Sequence, residues 1–361
     1  MQRRWLRAVA ALAYLMFLFG LLEAGSRAFW AIRWGVPFLH PNEAAIAFYP
    51  ELRADLDAPP RHDDAAFDVL LLSGSALNVN FGPIGQLLAE RLTQESGRPV
   101  RVHNLSMPGH TTLDSLYKYQ QLAGASFDLV AVYHGLNELR ANNVPPERFR
   151  ADYSHYGWYE IVRDVVDQEA LYPLAAPYSL RFAIRRSLAR LGLRVYVPVE
   201  RPRPEWVVYG REVRSREPFR RNLEAIAELA HSRGERVALM TYASHIAPGY
   251  SEEKFAARAL DYVLYTAPID LWGNVENVRS GLAAHNAVVR ELVTSDPQLE
   301  FADIEAAIPD DGRYYDDVCH FTVSGAERFV EALLPAALRV MRGEARPGAP
   351  ATRRDRSSAD R

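Results

Sequence analysis

Short apolar runs alternate with longer amphipathic stretches along the chain from Phe67 onward. Five apolar runs are nearly continuous in Val, Leu, Ile and Ala, as in strands that are covered on both faces. These runs are residues 67–72, 100–105, 128–133, 236–242 and 300–304. Apolar positions at three- and four-residue spacing predict helices between and after them, over residues 83–95, 112–123, 218–233, 281–293 and 324–340. The pattern predicts an α/β domain of strand–helix units around a buried parallel sheet.

The N-terminus has a different pattern. Residues 8–22 are uncharged and mostly apolar, with Arg3, Arg4 and Arg7 before them and Glu23 after them. A helix over residues 5–24 would be about 30 Å long, which just spans a bilayer. Residues 1–25 therefore predict a membrane anchor, and the arginines predict that everything after residue 25 is extracytoplasmic. The alternative is a signal segment, cleaved at a poor site near residue 25, that releases a secreted protein.

The remaining chain divides by composition. Residues 26–64 are interpreted as an extracytoplasmic linker arm, residues 65–341 as the α/β domain and residues 342–361 as a disordered tail. Residues 141–215, rich in aromatics, proline and arginine, are interpreted as an insertion or lid. Within this insertion Leu180, Ile184, Leu188 and Leu191 share one helical face. Arginines occupy the other faces of this helix. A basic amphipathic helix either rests on anionic lipid or packs on the domain with its arginines in water.

The composition of the chain argues against several classes of partner and cofactor. The chain has 42 basic and 45 acidic residues in 361, a net charge of -3, so we expect no nucleic-acid partner. The single cysteine, Cys319, excludes an intramolecular disulfide and a multi-cysteine metal site. Sequence motifs for dinucleotides, for a phosphate loop and for a zinc helix are missing. We therefore predict no cofactor and no metal.

Three candidate residues follow the first three predicted strands. Ser75 comes after Gly74 at the end of the first strand, Gly109 follows the second and Asn137 the third. The carboxyl edge of an open parallel sheet is where such proteins bind ligands. Ser75 suits a nucleophile, and Gly109 and Asn137 suit donors to an oxyanion. Taken singly, each residue is more common as a helix cap or turn former.

A fourth candidate block lies near the C-terminus. Asp317 and His320 precede the last predicted helix, and a spacing of three lets the carboxylate orient the imidazole. Asp152 and His155 repeat the spacing inside the insertion, and only their place in the fold argues against them. Asp316 is an alternative to Asp317. We interpret three other histidines as structural rather than pocket-lining: His103, His134 and His245. We interpret three residues after Asn137 as parts of a hydrogen-bonded loop: Arg140, Asn142 and Asn143.

Together the four blocks resemble the SGNH/GDSL hydrolase superfamily, over about residues 65–341 without most of the insertion. The family's order of nucleophilic serine, oxyanion glycine, oxyanion asparagine and Asp-x-x-His maps onto this chain. The matching residues are Ser75, Gly109, Asn137, Asp317 and His320. The resemblance implies a three-layer α/β/α sandwich with a flavodoxin-like parallel sheet. It also implies ester hydrolysis through a Ser75–His320–Asp317 triad and an acyl-enzyme, without a metal or organic cofactor.

Two positions depart from the family pattern. Ser73 stands where the family usually has glycine, and Glu138 stands where it usually has aspartate after the oxyanion asparagine. Neither change removes a catalytic group. We therefore expect a membrane-anchored serine esterase that acts on an envelope, carbohydrate or lipid ester, with Ser75 N–H, Gly109 and Asn137 as the oxyanion hole. The alternatives are an O-acyltransferase for an exported polysaccharide and a catalytically silent envelope-binding protein.

Overall fold

The five predicted strands form one parallel sheet. The structure is a computed structural model that describes residues 2–61, 65–169, 174–198 and 201–347. The strands are β1 (Phe67–Ser73), β2 (Val100–Asn104), β3 (Leu129–Tyr133), β4 (Arg236–Met240) and β5 (Glu300–Ala302). Their order across the sheet is β2-β1-β3-β4-β5, and every neighbouring pair is parallel. This is the predicted flavodoxin-like order.

All five helices predicted for the α/β domain are present. In chain order the α-helices are α1 (Gln2–Trp34), α2 (Arg53–Asp57), α3 (Ile84–Ser96), α4 (Thr112–Gln121), α5 (Gly157–Glu169), α6 (Ala175–Arg190), α7 (Arg216–Ser232), α8 (Glu252–Ala256), α9 (Val275–Ser295), α10 (Ile304–Ala307) and α11 (Val323–Met341). Short 3-10 turns join several of them.

Helices cover both faces of the sheet. On one face α3 packs against α11, and on the other α7 packs against α4 and α9. Val69 and Leu71 of β1 share a core with Leu88 of α3 and Phe329 of α11, and all four side chains are buried. Alternate strand residues point to opposite faces, so each strand needs apolar residues throughout. The predicted three-layer α/β/α sandwich is confirmed.

The strand order creates a crevice at the carboxyl edge of the sheet, between β1 and β3. From β1 the chain crosses to β2 on one side, and from β2 it crosses back to β3 on the other side of β1. Connections that leave two neighbouring strands in opposite directions open a crevice between their carboxyl ends. The segments after β1 and β3 carry Ser75 and Asn137. Topology therefore places these two predicted residues on either side of the crevice.

Among the described residues, α1 is the helix that is long and apolar enough to cross a membrane. The helix continues to Trp34, beyond the apolar segment that ends at Leu22. The predicted linker arm, residues 26–64, thus begins inside this helix, and Trp30 is buried against Tyr178. Two 3-10 turns, Pro41–Ala47 and Pro50–Leu52, also lie within the predicted arm.

The chain divides into two compact units. The helical unit comprises Met1–Arg53 and Tyr153–Val197, and the sheet unit comprises Ala54–Asp152 and Pro198–Arg361. The predicted insertion, residues 141–215, is thereby shared between them. The predicted domain boundaries stay predictions, since compactness does not test which segments function alone. Of the tail predicted to be disordered, residues 348–361 lie outside the described residues.

Candidate active site

Ser75 lies directly after β1, at the start of the 3-10 turn Ser75–Leu77. Leu77 is buried, whereas Ser75 keeps part of its surface exposed. Ser73 fastens this turn to the sheet, because its Oγ donates a hydrogen bond of 2.7 Å to the carbonyl of Tyr133 in β3. Ser73 thus joins β1 to β3, and this bond does not involve the Ser75 hydroxyl.

The loop after β2 is held against this turn by two hydrogen bonds. Asn78 donates from Nδ2 to the carbonyl of Ser106 at 2.5 Å, and the Met107 N–H donates to the carbonyl of Ser73 at 3.3 Å. Gly109 has φ of +79°, in the left-handed region that glycine adopts without strain. The turn that contains Gly109 therefore lies beside the end of β1.

Asn137 has a fixed amide orientation. Its Nδ2 donates to the carbonyl of His110 at 2.9 Å, and its Oδ1 accepts from Nε1 of Trp272 at 3.0 Å. A Cβ atom at Gly74 would lie only 2.5 Å from Nδ2 of Asn137. Gly74 has φ of -82°, which any residue can adopt, so the turn itself does not require glycine. Glycine is required there because the Asn137 amide packs directly on the backbone that precedes Ser75.

Gly74→Ala is expected to lower kcat for a short ester by about 10² to 10³, since the added methyl group displaces the Asn137 amide. Steady-state kinetics and thermal denaturation of the purified variant measure the effect. Gly124→Ala is the matched control, because a Cβ at Gly124 meets no atom within 4 Å. Unchanged kcat in Gly74→Ala would show that the amide takes no part in turnover.

Asp317 and His320 form a buried pair. Asp317 Oδ2 accepts from His320 Nδ1 at 2.6 Å and from the backbone N–H of Ala267 at 2.9 Å. Asp317 Oδ1 accepts from the N–H groups of Cys319 and His320 at 2.9 and 3.0 Å. Four N–H donors therefore surround one carboxylate that is fully buried. Asp317, rather than Asp316, contacts the imidazole at Nδ1, and Nε2 lies 4.0 Å from Cys319 Sγ.

The His320 ring lies against the loop that begins at Ser75. It stacks on Phe81, with ring centroids 4.1 Å apart and planes inclined by 12°. Two consecutive turns lead from Ser75 to Phe81, through hydrogen bonds of 2.9 Å from Asn78 N–H to the Ser75 carbonyl and from Phe81 N–H to the Asn78 carbonyl. Ser75 Oγ and His320 Nε2 do not form a hydrogen bond to each other.

Two side chains in this arrangement were not predicted from the sequence. Trp272 orients Asn137 from a position 135 residues away in the chain, and Phe81 supports the His320 ring. Both lie in irregular segments, where no periodicity marks an aromatic residue as functional. Arg140, next to Gly109, lies over the Trp272 ring at 5.7 Å.

Glu138 supports the loop that carries Asn137. It is fully buried, and its Oε1 accepts from the N–H of Thr112 at the start of α4 at 2.6 Å. Its Oε2 is buried without a hydrogen-bond partner. Burial raises the pKa of Glu138 to about 7, against an ordinary value of 4.5. The Glu138 side chain thus reaches the start of α4 and is largely protonated below neutral pH.

Glu138→Gln is expected to stabilise the protein above pH 7. Between pH 4.5 and about 7 the folded state binds more protons at Glu138 than the unfolded state, so stability falls as pH rises through this window. Glutamine keeps the Thr112 bond and does not titrate. Melting temperatures at about pH 5 and about pH 8 measure this, with the exposed Glu224→Gln as control. An increase in melting temperature from Glu138→Gln that is equal at both pH values would contradict the raised pKa of Glu138.

Asp317, Cys319 and His320 place three metal-ligand atoms within 4.8 Å of one another. The carboxylate already accepts four hydrogen bonds, and burial raises the pKa of the Cys319 thiol well above its ordinary value. A thiol ligates a metal as the thiolate, and a carboxylate must offer a free lone pair. These donors therefore fit an acid–base pair beside a neutral thiol better than a metal site.

The other candidate residues have structural partners. His103 Nδ1 contacts Asp55 at 2.5 Å, His245 Nδ1 contacts Asp310 at 2.5 Å, and His134 Nε2 contacts Ser115 Oγ at 2.7 Å. Burial lowers the pKa of His134 to about 3, so it stays neutral. Asn142 and Asn143 hold the loop after β3. Asp152 and His155 fall in different compact units.

No model of a known protein family matches this sequence, and no curated protein matches it. Solved structures similar to it include a GDSL-like lipase from Bacteroides thetaiotaomicron, with 12% identity over 81% of this chain and 98% of that chain and a TM-score of 0.42. An acetylxylan esterase from Geobacillus stearothermophilus has 14% identity over 75% and 94%, with a TM-score of 0.39. A lipase/acylhydrolase from Enterococcus faecalis has 15% identity over 79% and 100%, with a TM-score of 0.38. We infer the function of this chain from the geometry of its own residues.

Proposed function

We propose that this protein is a serine esterase in which Ser75 is the nucleophile, His320 the base and Asp317 the group that orients His320. The observation that carries the proposal is the buried Asp317–His320 pair, 2.6 Å long, whose ring rests on the loop that begins at Ser75. A carboxylate at Nδ1 holds the imidazole in the tautomer that accepts a proton at Nε2.

The reaction would proceed through an acyl-enzyme. His320 Nε2 takes the Ser75 proton as Oγ attacks the ester carbonyl, and it returns that proton to the alcohol that leaves. Water then attacks the acyl-enzyme, losing a proton to His320, and the carboxylic acid departs as Ser75 regains its hydrogen. Asp317 stabilises the imidazolium formed in both halves of the reaction.

Three donors would stabilise the oxyanion: the backbone N–H groups of Ser75 and Gly109 and the Nδ2 amide of Asn137. Neither backbone group donates a hydrogen bond to another described residue. Asn137 Nδ2 has two hydrogens, and His110 accepts one of them. Donors held in place before the reaction stabilise charge without reorganisation, which makes them effective.

We further propose that α1 anchors the protein in a membrane and that the sheet unit lies on the extracytoplasmic side. The support is the apolar face of α1, with Leu12, Leu15 and Phe17 each about 60% exposed, and the arginines that precede it. The substrate would then be an envelope, carbohydrate or lipid ester. Recovery of the mature chain without residues 1–25 from the soluble fraction would instead indicate a cleaved signal segment.

One assay separates esterase, acyltransferase and silent binding protein. One portion of the purified chain is labelled with a fluorophosphonate probe. A second, unlabelled portion is given acetyl, butyryl and long-chain p-nitrophenyl esters and acetylated xylan, with and without a glycan acceptor. We expect labelling and release of free acid. Acyl transfer to the glycan as the main product would indicate a transferase, and failure to label would indicate a silent site.

A further inference from the structure

Helix α6 exposes part of its apolar face, whereas Arg185 of the same helix is turned inward. Leu180 is 56% exposed and Ile184 49%, and Leu191, just after the helix, is 72% exposed. These residues lie four and seven positions apart and therefore share one face of the helix. A helix in water packs such a face against the protein. The exposure of Leu180 and Ile184 favours the alternative in which this face rests on lipid.

Two arginines of α6, Arg181 and Arg185, pair with acidic residues of α5. Arg185 contacts Glu160 at 2.6 Å and Asp164 at 2.8 Å, and only 17% of its side chain is exposed. Arg181 also lies near Asp164, at 3.8 Å. These pairs set the rotation of α6 about its axis, because they hold Arg181 and Arg185 against α5. The orientation that they impose leaves Leu180 and Ile184 outside.

The start of α6 is joined to the end of the apolar part of α1. Glu23 accepts from the N–H groups of Ala175 and Ala176, at 2.9 and 2.8 Å, and pairs with Arg27 at 2.6 Å. Glu23 directly follows the apolar segment of α1, so it marks the level at which that segment meets the polar boundary of a bilayer. The same hydrogen bonds place the first turn of α6 at that level.

A groove of about 620 Å³ lies between α1 and α6. Its apolar wall includes Leu21, Leu22 and Phe29 of α1 and Phe182 of α6. Its polar rim consists of Arg186 and Arg190, in addition to small hydroxyl side chains. Both arginines are exposed, and neither forms an ion pair with a carboxylate among the described residues. An apolar slot with a cationic rim, continuous with an apolar helix, matches an acyl chain and its anionic headgroup.

We propose that α6 is an interfacial membrane helix and that the groove between α1 and α6 binds an anionic phospholipid. Leu180 and Ile184 contact the acyl chains of the bilayer, and Arg186 and Arg190 bind the lipid phosphate. The inference rests on the proposed membrane insertion of α1, and it is independent of the chemistry at Ser75.

The depth of α6 is measured on the full chain in vesicles that contain lipids brominated along the acyl chain. An NBD label is placed on Ile184→Cys, with Leu15→Cys as the reference in α1 and Glu224→Cys on α7 as the exposed control; Cys319 is buried and stays unlabelled. We expect quenching at positions 15 and 184 but not at 224. Quenching at 15 alone would overturn the proposal for α6 while leaving the anchor, and quenching at neither would overturn both.

The lipid preference of the groove is measured by native mass spectrometry of the full chain with phosphatidylglycerol and phosphatidylcholine. Arg186→Gln combined with Arg190→Gln is expected to lower the preference for phosphatidylglycerol at least about tenfold. The matched control, Arg91→Gln with Arg342→Gln, removes the same charge from the sheet unit and should keep the preference. The proposed lipid site would be overturned if the Arg186/Arg190 variant kept its preference for phosphatidylglycerol, or if this preference fell equally in the groove variant and the control variant.

Discussion

Ser75→Ala is expected to lower kcat for a short p-nitrophenyl ester by about 10⁴ to 10⁶ while leaving the protein folded. The hydroxyl is the group that would form the acyl-enzyme, so no other side chain can take its place. Ser75 is partly exposed, and its Oγ makes no hydrogen bond to a described residue, so stability should change by less than about 0.5 kcal/mol. Ester turnover and thermal denaturation of the same preparation measure both quantities.

Ser73→Ala is the control for this variant. Ser73 is two residues away and fully buried, and its Oγ donates to the Tyr133 carbonyl at 2.7 Å. Loss of this hydrogen bond should lower the free energy of unfolding by about 1 to 3 kcal/mol, because the Tyr133 carbonyl stays buried with one partner fewer. Ester turnover should stay nearly intact. Normal hydrolysis by Ser75→Ala would remove Ser75 from the mechanism, whatever its effect on stability.

The second large effect is expected for Asp317→Asn, which should lower kcat by about 10⁴. The carboxylate accepts two hydrogen bonds at each oxygen, whereas an asparagine amide turns two of these contacts into clashes between donors. The imidazole then loses the acceptor that fixes its tautomer. We also expect a loss of about 1 to 3 kcal/mol in stability, so kcat is measured well below the melting temperature.

Asp316→Asn provides the matched control with the same substitution one residue earlier. Burial, and then the charge of Asp317, raises the pKa of Asp316 to about 6. Neutralising Asp316 removes that repulsion and leaves the His320 contact intact, so turnover should change little. Loss of activity in Asp316→Asn together with normal activity in Asp317→Asn would exchange the roles of the two carboxylates.

Much of the sheet unit could be predicted from the sequence. The five strands and the helices that cover them were located within a few residues, because doubly covered strands must be apolar throughout and amphipathic helices must repeat at 3.6 residues. The pattern also placed Ser75, Gly109 and Asn137 after strands and the Asp317–His320 block before the last helix, whereas their order as one set came from the resemblance to the SGNH/GDSL superfamily. Their catalytic roles remain predictions until the variants are measured.

Other features depended on contacts between distant parts of the chain. The backbone angles of Gly74 suit any residue, and the need for glycine comes from the Asn137 amide, which would lie 2.5 Å from a Cβ atom at this position. Trp272 reaches Asn137 across 135 residues, and Ala267 N–H reaches Asp317 across 50. No local pattern reports such pairs.

The sequence by itself determined the apolar N-terminal helix, the parallel sheet and the polar residues at its carboxyl edge. These follow from local periodicity, which acts over one helix or strand at a time. Only the tertiary structure decided which carboxylate contacts His320, which aromatic rings contact the candidate site residues and which face of α6 is exposed. Those outcomes depend on how elements pack, because a side chain's partner is chosen by shape and hydrogen bonding after distant segments have come together.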